Sequence, residues 1–193
     1  MELYGERGFE QTTVAEIAER AGLTERTFFR YFADKREVLF GGTEAVRGLL
    51  MDAVAGAPES ATPLEAIGTA LTTFATMLDE QRGRTFARQR QRIIASNDEL
   101  RERELIKLTT WAAALAEALR ERGVDEAVAT LAGEVGIAVF RTAFERWVAT
   151  TRGPKLPERI REALDELNRL ARPPLNEPGT ESDTSTAAPS SAC

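Results

Sequence analysis

The sequence predicts an all-α protein, on three observations. Residues 12–40, TTVAEIAERAGLTERTFFRYFADKREVLF, read as helix, tight turn, helix and the start of a third helix. From there to residue 171, apolar residues recur at the 3,4 spacing of a helix face. Capping signals and Gly or Pro breaks punctuate those stripes.

Thr13-Val14-Ala15-Glu16 is a capping box, a hydroxyl and a carboxylate three residues apart that take up orphan backbone N–H groups. The helix it opens puts Val14, Ile17, Ala18 and Ala21 on one face. Gly22 follows the last turn, where a left-handed backbone is cheap for glycine. Thr24 caps a second short helix, Glu25 to about Tyr31. Phe28 and Phe32 can anchor it to the first, and Ala18 and Gly22 are small where the two helices approach. Asp34-Lys35-Arg36-Glu37 is a further capping box. The outward residues of the second helix are Glu25, Arg26, Thr27, Phe29, Arg30 and Tyr31. An arginine can fork onto guanine, an aromatic ring can touch a thymine methyl, and hydroxyls can hold phosphates. Lys35, in the first turn of the next helix, is slightly unfavourable against the helix dipole unless a phosphate binds there. A helical hairpin with a solvated charged face is the alternative on these residues alone.

The segment GFEQTTVAEIAERAGLTERTFFRYFADKREVL, residues 8–39, resembles the DNA-binding domain of TetR-type transcriptional regulators. The resemblance implies a helix-turn-helix in which Glu25, Arg26, Phe29 and Arg30 face the bases. By the same resemblance, Thr13, Thr24, Thr27, Tyr31 and Lys35 hold the phosphate backbone. Such proteins carry a fuller first helix than Met1-Glu2-Leu3-Tyr4 supplies here. A truncated first helix is therefore expected, with a true start upstream and weaker DNA binding as written.

A helix from Lys35 to about Ala55 is expected next, with Leu39, Val46, Leu50 and Val54 on one side. Gly41, Gly42 and Gly48 weaken it, since each costs about 1 kcal/mol against alanine. Thr62-Pro63-Leu64-Glu65 opens another helix, with Leu64, Ile67, Leu71, Phe74 and Leu78 in register. Arg84 to Ala95 forms a short basic helix. Ser96-Asn97-Asp98-Glu99 caps a long one to Arg122, with Leu105, Leu108, Ala112, Leu115 and Leu119 in one stripe. From Asp125 to about Thr150, Val128, Leu131, Val135 and Val139 line one face and Ile137, Phe140, Phe144 and Trp147 another. A helix apolar on two sides is buried on two sides. The second side needs a ligand cavity or a partner subunit. A last helix, Pro157 to about Ala171, presents Ile160, Leu164, Leu167 and Leu170, and the pair suits a four-helix homodimer interface. TetR-like proteins dimerise in this way. Residues 172–193, rich in Pro, Ser, Thr and Ala, are expected to be a disordered tail. The expected organisation is a DNA-binding domain at 1–43, a helical-bundle ligand-binding and dimerisation domain at 44–171, and that tail.

Composition agrees with a cytosolic regulator. The net charge of −6 is not that of a general nucleic-acid binder, so the positive charge that matters is local: Arg26, Arg30, Lys35 and Arg36. The single cysteine, Cys193, rules out a disulfide framework. No stretch reads as long and apolar enough to span a membrane, and no signal peptide is evident. The chain has no histidine, which excludes Ser-His and Cys-His dyads and the commonest zinc sites. No metal, cofactor or enzymatic activity is expected.

The candidate ligand-binding residues are Phe74, Met77, Leu78, Phe86, Arg90, Ile93, Ile94, Trp111, Leu115, Phe140 and Phe144. Each apolar one is equally a candidate for plain core. The arginines at 82, 84, 88, 90 and 92 either pair with Glu99, Glu102 and Glu104 or hold an anionic head group at a pocket mouth. The run from Phe86 to Leu119, with FRTAFERWVA at 140–149, resembles the C-terminal domain of regulators associated with mycofactocin clusters. That resemblance implies an acyl-CoA or similar amphipathic effector. The partners expected are a double-stranded DNA operator, that small molecule and a second copy of the chain. A helical carrier that has lost DNA binding is the competing reading.

Overall fold

The structure, a computed structural model, describes residues 1–171. The expected tail at 172–193 lies outside them. Among the described residues the chain forms ten α-helices and no strand. They are α1 (Glu2–Arg7), α2 (Val14–Arg20), α3 (Glu25–Tyr31), α4 (Glu37–Phe40), α5 (Thr43–Ala55), α6 (Pro63–Gln81), α7 (Gly83–Ala95), α8 (Asp98–Glu121), α9 (Glu126–Ala149) and α10 (Leu156–Ala171).

Local chemistry sets most of these ends. Two capping boxes form, Thr13 with Glu16 and Thr62 with Glu65. Asn97 and Asp125 cap α8 and α9 by accepting from backbone N–H groups of the first turn. Between α2 and α3 the chain closes a Schellman turn: Leu23 N–H donates to Ala18 C=O at 2.8 Å and Gly22 N–H to Glu19 C=O at 3.0 Å. Gly22 holds φ +68° there.

Two elements differ from expectation. The helix expected from Lys35 to Ala55 is broken into α4 and α5, because Gly42 adopts φ +89° and ends the helical path. Asp34 does not form a capping box with Glu37; its carboxylate accepts from the N–H of both Arg36 and Glu37 and pairs with the Arg36 guanidinium.

Helices α5, α6, α8, α9 and α10 enclose the main core, built around Leu50, Ile67, Leu71, Trp111, Leu115, Phe140, Trp147 and Ile160. Helix α9 lies so close to α8 and α6 that side chains are excluded at two points. A Cβ at Gly133 would sit 2.5 Å from the Ala112 carbonyl oxygen, and one at Gly136 2.6 Å from Ile67 Cγ2. Leu105 leaves its expected stripe and is exposed, as is Ile106. The expectation about membrane spans is also corrected. Helix α9 is long and apolar enough to cross a membrane by length and composition, but here that apolarity packs it against α8, α10 and α6.

A second, smaller core joins the first forty residues to the rest. Tyr4, Phe9, Leu39 and Phe40 pack with Ile93 and Ile94 of α7 and Leu100 of α8.

The α8–α9 contact makes a specific prediction. Gly133→Ala forces a methyl group into backbone, where no rotamer change gives relief. It should destabilise the fold by about 1–3 kcal/mol, measured as a lower urea midpoint with an unchanged slope.

Candidate nucleic-acid interface and effector core

Helix α3 is held from one side only. Phe28 is 2% exposed and its ring meets Phe29 at 5.5 Å and Phe32 at 5.1 Å between centroids. With Phe28 inward, the spacing turns Glu25, Arg26, Phe29 and Arg30 outward, and all four are exposed. Phe29 is 52% and Tyr31 64% exposed. Large aromatic area left in water on a short helix is the kind of surface that marks a binding site. The Arg30 guanidinium donates to Tyr31 Oη at 2.8 Å and lies over that ring at 4.8 Å, so the side chain is pre-positioned. Thr24 and Thr27 share a hydroxyl contact at 3.0 Å at the start of the helix, and Thr13 is occupied by its own capping box.

Lys35 is placed differently from the phosphate role expected of it. Its ammonium donates to the carbonyls of Phe9 at 2.9 Å, Glu10 at 3.2 Å and Thr12 at 3.1 Å, and lies 4.4 Å from the Phe9 ring centroid. All three N–H donors are thus committed to the loop between α1 and α2. Tyr4 Oη donates to the Lys35 carbonyl at 2.5 Å. Burial, then the nearby Asp34 carboxylate, pushes the Tyr4 phenol well above its ordinary pKa. Lys35 and Tyr4 therefore clamp the segment between α3 and α4 to α1 and the α1–α2 loop.

The expected ligand residues do not all come together. Phe74, Met77, Leu78, Trp111, Leu115, Phe140 and Phe144 join the main core between α6, α8 and α9. Their rings form a continuous run: Phe74 to Trp111 at 5.2 Å, Trp111 to Phe140 at 6.1 Å, Phe140 to Phe144 at 5.7 Å and Phe144 to Trp147 at 5.8 Å. Three expected apolar residues sit elsewhere. Ile93 and Ile94 belong to the smaller core, because α7 turns that face toward α1 and α4. Phe86 lies half-buried under Arg82.

Arg90 faces α4 and not the aromatic run. Its Nε donates to the Leu39 carbonyl at 2.9 Å, and its guanidinium lies 5.1 Å over the Phe40 ring. The same guanidinium pairs with Glu104 at 2.8 Å, and Glu104 also accepts from Lys107 at 2.6 Å. Lys107 in turn lies 4.6 Å from the Trp111 ring centroid. A chain of contacts thus runs from the aromatic core to α4. Burial opposes the charge on Glu104, but Lys107 and Arg90 outweigh it and hold the carboxyl below its ordinary pKa. Burial, with Arg90 close by, lowers Lys107 to about 8. Arg103 pairs with Glu37, and Arg36 with Glu99, across the same junction.

The other arginines of α7 include two with structural partners. Arg84 donates to the Gly153 carbonyl and Arg88 to those of Val148 and Thr150, so both hold the chain at the end of α9. A groove of about 730 Å³ lies between α1 and α7, lined by Glu2, Tyr4, Glu6, Arg88, Gln89 and Arg92 among others. It mixes both charge signs and contains none of the aromatic run.

A short helix presented outward after a Gly turn, on a helical body with an aromatic core, is a helix-turn-helix arrangement. Residues 1–40 match the bacterial regulatory proteins of the tetR family, and residues 61–171 match the MftR C-terminal domain. The chain belongs to the TetR family and carries an MftR-type C-terminal domain. It is a ligand-responsive, DNA-binding transcriptional regulator; the carrier reading is not favoured.

Among its relatives is the HTH-type transcriptional regulator TcmR of Streptomyces glaucescens, 39% identical over 70 residues, which are 36% of this chain and 31% of that protein. Another is MftR of Mycobacterium tuberculosis, named for transcriptional regulation of mycofactocin biosynthesis. It is 25% identical over 151 residues, 77% of this chain and 75% of that one. Among solved structures, the TetR-family regulator PfmR of Thermus thermophilus aligns with a TM-score of 0.50 at 25% identity, covering 87% of this chain and 93% of that one. The fold also matches Thermus thermophilus FadR, a TetR-family repressor in complex with lauroyl-CoA, at TM-score 0.53 and 24% identity, covering 93% and 95%.

Two predictions test the site electrostatics. Lys35→Met removes three charge-assisted hydrogen bonds within the head, so it should lower stability by about 2 kcal/mol and speed amide exchange at Phe9–Thr12 without DNA present. A residue that only touched phosphate would leave both unchanged. The second concerns Lys107. Its folded pKa of about 8 lies below the ordinary 10.5, so between those values the unfolded chain binds more protons. The native protein should therefore gain stability relative to Lys107→Met as pH rises through that window, read as urea midpoints at a series of pH values.

Proposed function

We propose that this protein is a homodimeric repressor that leaves a palindromic operator when an amphipathic acyl effector, such as an acyl-CoA, enters its aromatic core. It works in the cytoplasm. The observation that carries this reading is the exposed face of α3. Arg26 and Arg30 suit guanine edges and Phe29 a thymine methyl, while Thr24, Thr27 and Tyr31 offer hydroxyls suited to phosphates. The phosphate role of Thr13 sits beside its capping bond.

One short helix reads few base pairs, so a second copy is needed for useful specificity. The outer face of α9 and the end of α10 supply a surface for it: Val128, Leu131 at 66% exposure, Val135, and Leu170 at 84%. Two such pairs form a four-helix interface by a two-fold axis, in which each patch meets its own copy.

The effector acts by its differential affinity for two arrangements of the heads. The aromatic run is apolar and suits an acyl chain, the class of ligand that FadR holds as lauroyl-CoA. Displacing Trp111 would shift Lys107, release Glu104 and loosen Arg90 from the Leu39 carbonyl. The reading helices then lose their fixed placement relative to α7 and α8.

Selection of bound duplexes from a random pool should return a palindrome. Against it, Arg30→Ala should lose about 1–3 kcal/mol and relax preference at one position per half-site. An Arg30→Ala protein that ranks all duplexes as the native one does would remove the site assignment. Leu131→Glu should give a monomer by light scattering, with operator affinity lost and the helical far-UV signal kept.

A further inference from the structure

Two buried indoles bracket the aromatic run. Trp111 Nε1 and Trp147 Nε1 are both buried, and neither has a hydrogen-bond partner among the described residues. Leaving a buried N–H donor unmade is unfavourable, so such a group in an apolar interior calls for an explanation. The two ends differ in their surroundings. The Lys107 ammonium sits against the face of the Trp111 ring, at 4.6 Å, with its side chain 10% exposed and one acceptor, Glu104, among the described residues. A cation on the ring face draws electron density from the indole and makes its N–H a better donor. At the other end, Arg84 lies 5.7 Å from the Trp147 ring centroid, but its guanidinium is spent on the Gly153 and Pro154 carbonyls.

We propose that Trp111 Nε1 is the hydrogen-bond donor that recognises the carbonyl oxygen of an acyl effector, with Lys107 supplying the local positive potential. This rests on the acyl-effector reading of the aromatic core. It gives the site a chemical specificity that an apolar run alone lacks: the chain supplies affinity, and the indole selects ligands with an acceptor at the head of the chain. The adjoining run, Phe140 and Phe144, takes the chain itself. Phe144, only half-buried, stands at its rim.

The chain has only two tryptophans, so the indole region of a nitrogen-15 spectrum holds two signals. The test titrates the full chain with dodecanoyl-CoA and with S-dodecyl-CoA, a thioether that keeps the chain and the nucleotide but lacks the carbonyl. Trp147→Phe assigns the signals and removes the same kind of donor at the far end. The expected result is a downfield move of the Trp111 indole proton with the thioester alone, and binding of the thioester about tenfold tighter than the thioether. That ratio should persist in Trp147→Phe and fall to near one in Trp111→Phe. Because the ratio is taken within each protein, a loss of overall stability does not imitate it. Equal affinity of the native protein for the two ligands, or an unmoved Trp111 signal on saturation, overturns the assignment and leaves the acyl-CoA reading standing. No binding of either ligand removes both.

Discussion

The guanidinium of Arg90 ties the first forty residues to the helical body, beside the Arg103–Glu37 and Arg36–Glu99 pairs. It is bonded at once to a backbone carbonyl of α4 and to a carboxylate of α8, and it covers the Phe40 ring. A partly buried triad of two cations and one carboxylate is weak evidence for stability, because desolvation offsets the attraction. Its value here is directional. Arg90 can satisfy both partners only while α4, α7 and α8 keep one relative placement. The reading helices hang from α4 through Lys35, Tyr4 and the smaller core, so that placement fixes where α3 points.

Aromatic side chains serve opposite purposes at the two ends of this connection. In the head, Phe28 is buried so that Phe29 and Tyr31 can stand in water, an arrangement that costs hydration free energy unless something covers it. In the body, Phe74, Trp111, Phe140 and Phe144 pack edge-to-face and tilted in a run that is already apolar and partly accessible at Phe144. In the proposed function the first group meets a polyanion edged with methyl groups and the second a hydrocarbon chain. The triad lies between them. Glycines on α9 bring α8 and α6 close enough for the run to be continuous.

Local features are legible in the sequence, because the residues that make them are neighbours. The Thr13–Glu16 and Thr62–Glu65 boxes, the turn at Gly22, the outward set on α3 and the two-sided apolarity of α9 all follow from spacing. What spacing does not show is the choice among long-range partners. Lys35 reads as a phosphate contact until its ammonium is seen on carbonyls 23 to 26 residues away. Arg90 reads as one of five similar arginines, and only the fold brings it to Leu39, 51 residues away. The apolar stripe of α8 reads one step too far, to Leu105, because the helix end faces a charged junction and Glu104 takes the inward place. Gly41-Gly42 signals the break between α4 and α5, yet apolar periodicity on both sides argues for one helix.

The most direct test is the operator affinity of the native protein and of Arg90→Gln, each with and without saturating dodecanoyl-CoA, by fluorescence anisotropy. The native protein should lose operator affinity by about tenfold or more on ligand addition, a coupling within the usual range. Arg90→Gln should still bind the ligand, with affinity for DNA that the ligand no longer changes. Full ligand release of Arg90→Gln, equal to that of the native protein, would contradict the account.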